Sequence, residues 1–376
     1  MEAAKVYFSD LRAQPGTNLP KKLEKLIRTA GMGEINFDRK LVAIKIHFGE
    51  PGNLSFLRPN YAKVVADTVK SFGGQPFLTD CNTLYVGRRK NAPEHLEAAY
   101  ENGFSPFSTG CHVIIGDGVK GTDDIDVPVR NGEYIQNAHI GRAIMDADVF
   151  ISLNHFKGHE ATGFGGALKN IGMGCGSRAG KMDQHASGKP EVKADRCRSC
   201  HACAKICAQD AIRFDGAEGK AEIDRSKCVG CGRCLGTCNF DAIHNPNDSA
   251  NEDLGRKIAE YAMAVVDGRP QFHISLVIDI SPYCDCHAEN DVPILPDIGM
   301  FASFDPVALD QACADACLRQ PPMPGSRLDD NMHKPDFCDH HDHFVNSMPA
   351  SVWKTCLDQA EKIGVGTRNY ELITVK

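Results

Sequence analysis

Eight of the seventeen cysteines in the chain fall into two copies of one spacing. Cys197, Cys200, Cys203 and Cys207 recur as Cys228, Cys231, Cys234 and Cys238, and the triplet Asp-Ala-Ile follows each run. Thiolates set two residues apart let a tight loop wrap three corners of an iron–sulfur cubane, while a fourth cysteine farther on reaches the neighbouring cluster. The expected ligand sets are Cys197, Cys200, Cys203 and Cys238 for one [4Fe–4S] cluster, and Cys228, Cys231, Cys234 and Cys207 for a second. Zinc competes, because paired C-x2-C units also build tetrahedral zinc sites. Zinc leaves the extra C-x2-C step and the duplicated tail without a purpose.

On these residues the segment resembles a bacterial two-cluster ferredoxin. It departs from that pattern where Ala208 and Asn239 stand in place of the proline usual after each fourth cysteine. Ligation is unaffected by the change, and the potentials depend in any case on hydrogen bonds to sulfur and on exposure.

A second chemical segment runs from Asn154 to Asn170. Gly163, Gly165 and Gly166 lead into a helix expected at Ala167, so free backbone N–H groups there could receive an anion, with Lys157 or Lys169 adding full charge beside Asn170. Neither the P-loop nor the dinucleotide-binding spacing is matched. His159 has the proton-transfer range that a reductive step needs. The competing reading is a glycine-rich turn for close helix–strand packing, with solvated lysines and a structural histidine.

A third candidate is the pair Cys284 and Cys286, preceded by Asp279 and followed by His287. If the pair lies on a strand, both side chains share one face, where they could hold an additional metal, form a redox dithiol or simply pack. Cys313 and Cys317, one helical turn apart, read as core. Cys81, Cys111, Cys175, Cys338 and Cys356 lack partner spacing, and the patch His333, His340, His341 and His343 beside Cys338 could bind zinc but reads rather as a solvated loop.

The elements that must position these residues alternate. Strands are expected at 5–8, 41–48, 76–80, 112–115 and 149–155, separated by helices at 61–72, 93–102 and 139–146. After the cysteine runs come a helix at 254–266, strands at 273–280 and 298–303, a helix from Pro306 to about Leu318 capped by Asp305, a helix at 351–363 and a last strand at 371–375. Residues 177–195 read as a polar linker and 320–348 as a surface wrap. The expected fold is α/β, a mostly parallel sheet flanked by helices and interrupted by a small ferredoxin-like α+β insert. Its expected boundaries are 1–189 and 247–376 for the two parts of the α/β domain, and 190–246 for the insert.

A formal charge of −7 over 376 residues, with no basic block, argues against nucleic acid as a partner. The first residues carry no apolar leader and no apolar run approaches the ~18 residues of a membrane span, so a cytoplasmic protein without a membrane partner is expected. Thiolate ligation of iron calls for a reducing, low-oxygen setting.

Lys157-Gly-His159, the run Gly163 to Gly174, Ser281 to Cys286, Pro296 to Gly299 and Phe301 to Ala308 together resemble the family called domain of unknown function 362. The resemblance implies an α/β iron–sulfur protein, often with a two-cluster ferredoxin insert at this place, and no agreed reaction. Two functions fit. In the first, an oxidoreductase passes electrons from a low-potential donor such as ferredoxin through two [4Fe–4S] clusters to a small anionic substrate or an extra metal. Lys157 and Lys169 would hold that substrate and His159 would supply a proton. In the second, a non-catalytic partner docks on another redox enzyme and delivers electrons or metal to it.

Overall fold

The computed structural model describes residues 3–84, 87–185, 189–207, 209–215, 217–228, 234, 238, 240, 242–244 and 251–376. Eight strands form one sheet: β1 (Ala4–Asp10), β2 (Leu41–Lys45), β3 (Gln75–Asp80), β4 (His112–Ile115), β5 (Val149–His155), β6 (Gln271–Val277), β7 (Gly299–Ser303) and β8 (Tyr370–Thr374). Their spatial order is β8-β1-β7-β6-β5-β2-β3-β4. Only β7 runs antiparallel to its neighbours. The fold is thus α/β with a mostly parallel sheet flanked by helices. Strands from both sides of the cysteine-rich segment enter it, β1 to β5 before and β6 to β8 after.

Burial on both faces explains the strand sequences. All seven residues of β5 are buried, and such strands read as near-continuous runs rather than alternating ones. The two faces still differ, because side chains alternate along a strand. Val149, Ile151 and Leu153 of β5, with Phe272, Ile274 and Leu276 of β6, enter an apolar layer under the helices Leu19–Thr29 and Pro59–Ser71. On the opposite face stand Ser152, Asn154, His273 and Ser275, all buried. They satisfy one another, with Ser152 Oγ 2.8 Å from His273 Nδ1 and Asn154 donating to Ser275 Oγ at 3.2 Å. Above that face lie the helices Ala167–Cys175, Asn251–Val266, Pro306–Leu318 and Lys354–Ile363.

The order of the strands creates a crevice. From β2 the chain winds outward through β3 and β4, then returns to the other side of β2 with β5 and continues to β6. In open α/β sheets, ligands bind beyond the carboxyl ends of the strands at this reversal. Here it lies between β2 and β5.

Two expected elements differ. Residues 139–146 form no single helix; Asn137–Gly141 pairs as a strand with Asp124–Pro128, and only the turn Arg142–Met145 is helical. Ala138 and Ile140 are buried while His139 between them is not, a period of two. Within the expected linker, Arg178–His185 is a helix whose polar residues point inward. Lys181 Nζ donates to Gly176 O at 2.6 Å and Gln184 to Gly172 O at 3.2 Å, so its polarity serves buried carbonyls rather than water. In the cysteine-rich segment Glu191–Val192 pairs with Ile243–His244, and Ile212–Arg213 with Glu222–Ile223. Among the described residues no helix is long and apolar enough to cross a membrane.

Asp305 caps the helix Pro306–Leu318 by accepting from Val307 N at 2.8 Å and Ala308 N at 2.9 Å, and its other oxygen accepts from Thr367 N at 2.9 Å. Asp305→Ala removes all three bonds. It is expected to lower stability by about 1–2 kcal/mol, read in urea as an earlier midpoint at unchanged slope; a midpoint equal to wild type contradicts the capping role.

Candidate functional site

The carboxyl ends of β2, β3 and β5 and the loop after β6 enclose a cavity of about 350 Å³. Into it the fold brings Lys157, His159, Gly165, Gly166, Lys169, Asn170, Cys284 and Cys286, residues that lie as much as 129 positions apart. Asn170, on the helix Ala167–Cys175, ties the crevice together. Its amide donates to Lys45 O and Leu153 O, each at 3.2 Å, and to Asn154 Oδ1 at 2.8 Å, while its oxygen accepts from Lys45 Nζ at 2.7 Å.

Several residues of the cavity were not singled out in the sequence. Lys45 ends β2 and His47 follows it, Asp80 ends β3, and Arg89 comes from the loop beyond. Lys45 Nζ lies 3.0 Å from Asp80 Oδ1, and Arg89 joins Glu50 at 2.8 Å and His47 at 3.0 Å. Burial pushes the Asp80 carboxyl up, but Lys45, His47 and His95 outweigh it and hold the group below the ordinary carboxylate range. His47 is driven down to about 3 by burial and by Arg89, so it is neutral. The signal was a charged or histidine residue ending an otherwise apolar strand.

Around Asp285 the geometry fixes a charge. His155 contacts Asp285 through Nδ1 at 2.8 Å and Ile278 O through Nε2 at 2.8 Å. Both partners only accept, so both ring nitrogens carry protons and the ring is an imidazolium. Burial opposes that charge, yet Asp285 raises the His155 pKa above its usual value, and Asp285 itself falls to about 2 despite burial, chiefly through His155.

His159 is the opposite case. Its Nδ1 accepts from Ala161 N and Thr162 N, both at 3.1 Å, which leaves the proton on Nε2, on the side of Cys284. Burial, then Lys169, lowers its pKa. Glu160 Oε2 lies 3.8 Å from that same Nδ1. The two main-chain donors show that this nitrogen carries no proton, so the approach is not an ion pair.

Cys284 and Cys286 hydrogen-bond to each other, and Lys169 Nζ lies 3.6 Å from the Cys284 sulfur. The bond from Cys286, followed by the charges of Lys157 and Lys169 and the His159 proton, draws Cys284 far down against the cost of burial. Cys286 is pushed up by the same bond and by its own burial. Of the two sulfurs, Cys284 is the one whose surroundings favour the thiolate. It sits in a β-turn closed by His287 N to Cys284 O at 3.1 Å, not on a strand. Among the described residues no group of three or more His, Cys, Asp or Glu side chains is arranged to hold a metal ion.

Lys157 is 4% exposed and its ammonium forms no hydrogen bond among the described residues. Burial disfavours its charge, but Cys284, Asp285 and Cys286 raise its pKa above the ordinary lysine value. It lies over Gly165, where an added Cβ would meet Lys157 Nζ at 3.0 Å and Lys169 Cδ at 3.6 Å.

The expected amide cradle is already filled. Asp310 accepts from Ala167 N at 2.6 Å and Leu168 N at 2.9 Å, so a carboxylate of the chain itself occupies that helix N-terminus. Gly166 faces Asp310, and Gly163, at φ 68, turns toward Trp353 away from the cavity. Of the three glycines, only Gly165 and Gly166 line it. The charge available to an anion comes from the lysines.

In the cysteine-rich segment, Cys197, Cys200, Cys203 and Cys238 line one separate pocket. Ser199 N and Ala221 N point at the Cys197 sulfur at 3.4 and 3.5 Å, and Ala211 N at that of Cys207 at 3.4 Å. These four are thus gathered at one pocket with main-chain N–H groups pointing at cysteine sulfur, though as placed they form no ready-made metal site. In the second set Cys207, Cys228 and Cys234 are described, while Cys231, with Ala208, Asn239 and Asp241, lies outside the described residues. His185, which ends the helix before this segment, and Asn251, which begins the helix after it, both line the large cavity. Cys313 and Cys317 are fully buried core, and His333 and His341 are exposed.

Residues 42–315 match the family model described as Domain of unknown function (DUF362). The chain belongs to this family. No curated protein matches this DUF362 chain. Among solved structures it is similar to the lactate racemase apoprotein from Thermoanaerobacterium thermosaccharolyticum, at 9% identity and a TM-score of 0.38 over 73% of this chain and 51% of that one. It is also similar to a protein from Thermotoga maritima, at 11% identity and a TM-score of 0.38 over 81% and 59%. The DUF362 chain thus spans between half and three fifths of the length of either structure.

The His155–Asp285 pair sets a pH dependence. His155 has a raised pKa, so its contribution to stability is full below the unfolded value near 6.5 and is lost as pH rises through the folded value. Asp285 has a lowered pKa, so its contribution is present above the unfolded value near 4 and is lost as pH falls toward about 2. Asp285→Asn is expected to cost about 3–5 kcal/mol near pH 6, where it strands a buried imidazolium, and less at pH 9. Thermal denaturation across pH 5–9 checks this; a pH-independent gap contradicts the charged pair.

Proposed function

We propose that this protein is an iron–sulfur oxidoreductase in which two [4Fe–4S] clusters in the segment 190–246 deliver electrons to a small anionic substrate held in the cavity of the α/β domain. One observation carries the reading: the cavity receives both approaches to the cysteine-rich segment, at His185 and Asn251, and also holds an ammonium, Lys157, with no hydrogen-bond partner. Despite burial, Cys284 and Asp285 already hold Lys157 protonated, which leaves the hydrogen-bonding capacity of its ammonium for a substrate carboxylate or similar oxyanion bound between Lys157 and Lys169. A volume near 350 Å³ suits a ligand of modest size.

The roles follow from position. Cys197, Cys200, Cys203 and Cys238, and Cys207, Cys228, Cys231 and Cys234, would hold the clusters, which supply single electrons from a low-potential donor such as ferredoxin. Lys157 and Lys169 orient the substrate. His159, with Nδ1 fixed as an acceptor, presents its Nε2 proton toward Cys284. The convergence of Lys157, His159 and Lys169 on one cavity favours this reading over a docking platform. The reducing, low-oxygen cytoplasm is the setting it requires.

The test is reoxidation of the anaerobically reduced full chain by a panel of small oxo-acids and unsaturated carboxylates, followed by cluster absorbance. At least one acceptor is expected to accelerate reoxidation. Lys157→Met and Lys169→Met are each expected to weaken the apparent affinity for it by about 10- to 100-fold, the loss of one charge-assisted bond, with iron content unchanged. Equal rates for wild type and both variants with every acceptor contradict the proposal.

A further inference from the structure

We infer that Cys284 and Cys286 form a dithiol–disulfide couple that stores two electrons at the floor of the cavity. The inference deepens the proposed function, on which the source of its electrons rests, but the couple itself stands on separate geometry.

The two cysteines occupy the first and third positions of the β-turn Cys284–His287. A β-turn doubles the chain back, bringing these positions inside the roughly 4.4–6.8 Å span of Cα atoms that a disulfide bridges. Both thiols are free, line the same cavity and lie close enough to shift each other's ionisation. Asp285 between them is clamped by His155, which is itself held by Ile278 O, so the turn is anchored at its centre.

The surroundings treat the two sulfurs differently. Lys169 lies 3.6 Å from Cys284, and the Nε2 proton of His159 faces the same sulfur. Cations and a proton donor around one member of a pair stabilise its thiolate, the form that attacks in thiol–disulfide exchange and the form that leaves most readily. Cys284 is the exchanging sulfur and Cys286 the resolving one. A metal would need further donors, and among the described residues no set of three is arranged around the pair.

The balance is simple. Two electrons, delivered singly through the clusters from a low-potential one-electron carrier, and one proton convert the Cys284–Cys286 disulfide to the Cys284 thiolate and the Cys286 thiol. In the reverse direction the sulfur–sulfur bond forms as the pair gives up two electrons and the Cys286 proton, the equivalents of a hydride, to an acceptor in the cavity. The couple thus turns one-electron carriers into a two-electron donor.

The full chain, purified anaerobically, is treated with a small linear disulfide as oxidant, alkylated with iodoacetamide and mapped by mass spectrometry. Cys284 and Cys286 are expected to lose their labels together, while reduced methyl viologen restores both. In Cys286→Ser, Cys284 is expected to remain joined to the oxidant as a mixed disulfide that does not resolve. Oxidised wild type in which both cysteines still take the label overturns the couple, as does an equal yield of mixed disulfide in wild type and Cys286→Ser. Iron is measured on the same samples. A disulfide that closes in a protein without iron supports the couple and removes only the proposed electron path.

Discussion

Charge carried into a dry sheet edge is the constraint on which the rest of this structure depends. Lys45, Asp80, Arg89, Glu50, His155, Asp285 and Lys157 are all nearly inaccessible, and they gather where the parallel strands end. Each buried ion forfeits several kcal/mol of hydration after relaxation. Hydrophobic residues of the same volume would hold these loops at least as firmly. Every charge but one is met by an opposite charge or a hydrogen bond: Lys45 by Asp80 and Asn170, Arg89 by Glu50, and Asp285 by His155. Lys157 meets only the field of the thiolate and carboxylates around it. The sheet order makes the arrangement feasible. The reversal between β2 and β5 opens a crevice without cutting a strand, and Asn170 bridges both sides of it.

Much of this was legible because it is local. The apolar runs of β2, β5 and β6 and the Asp305–Pro306 helix start needed only a few neighbouring residues. Lys157 and His159, two apart on a short strand, share a face in the sequence as they do in the fold. The charges of β2 and β3 were not legible. A lysine or aspartate at the end of a strand reads as solvated until its partner is known, and the partners of Lys45 lie 35 and 125 residues away. Asp310 shows the limit most plainly, since it caps a helix that begins 143 residues earlier. The same limit explains the helix Arg178–His185, whose polar residues answer carbonyls that no local pattern reveals. Cys284 and Cys286 were found by their spacing, but a turn rather than a strand brings them together.

The position of the cysteine-rich segment joins the two halves of the account. Insertion between the helices Arg178–His185 and Asn251–Val266 interrupts no strand of the sheet, and the facing ends of both helices border the cavity. In the proposed function a carrier tethered there would be held beside the site it serves, tethering replacing a diffusional encounter with a high effective concentration. The N–H groups directed at the sulfurs of Cys197 and Cys207 would then tune the carrier.

The claim beneath all of this is that eight thiolates hold two iron cubanes. Anaerobic iron and acid-labile sulfide analysis of the full chain, joined to electron paramagnetic resonance of the dithionite-reduced protein, addresses it most directly. The account predicts about eight iron and eight sulfide per chain, with the spectrum of two interacting reduced clusters. Zinc in place of iron, or the same cysteines paired as disulfides, would contradict it.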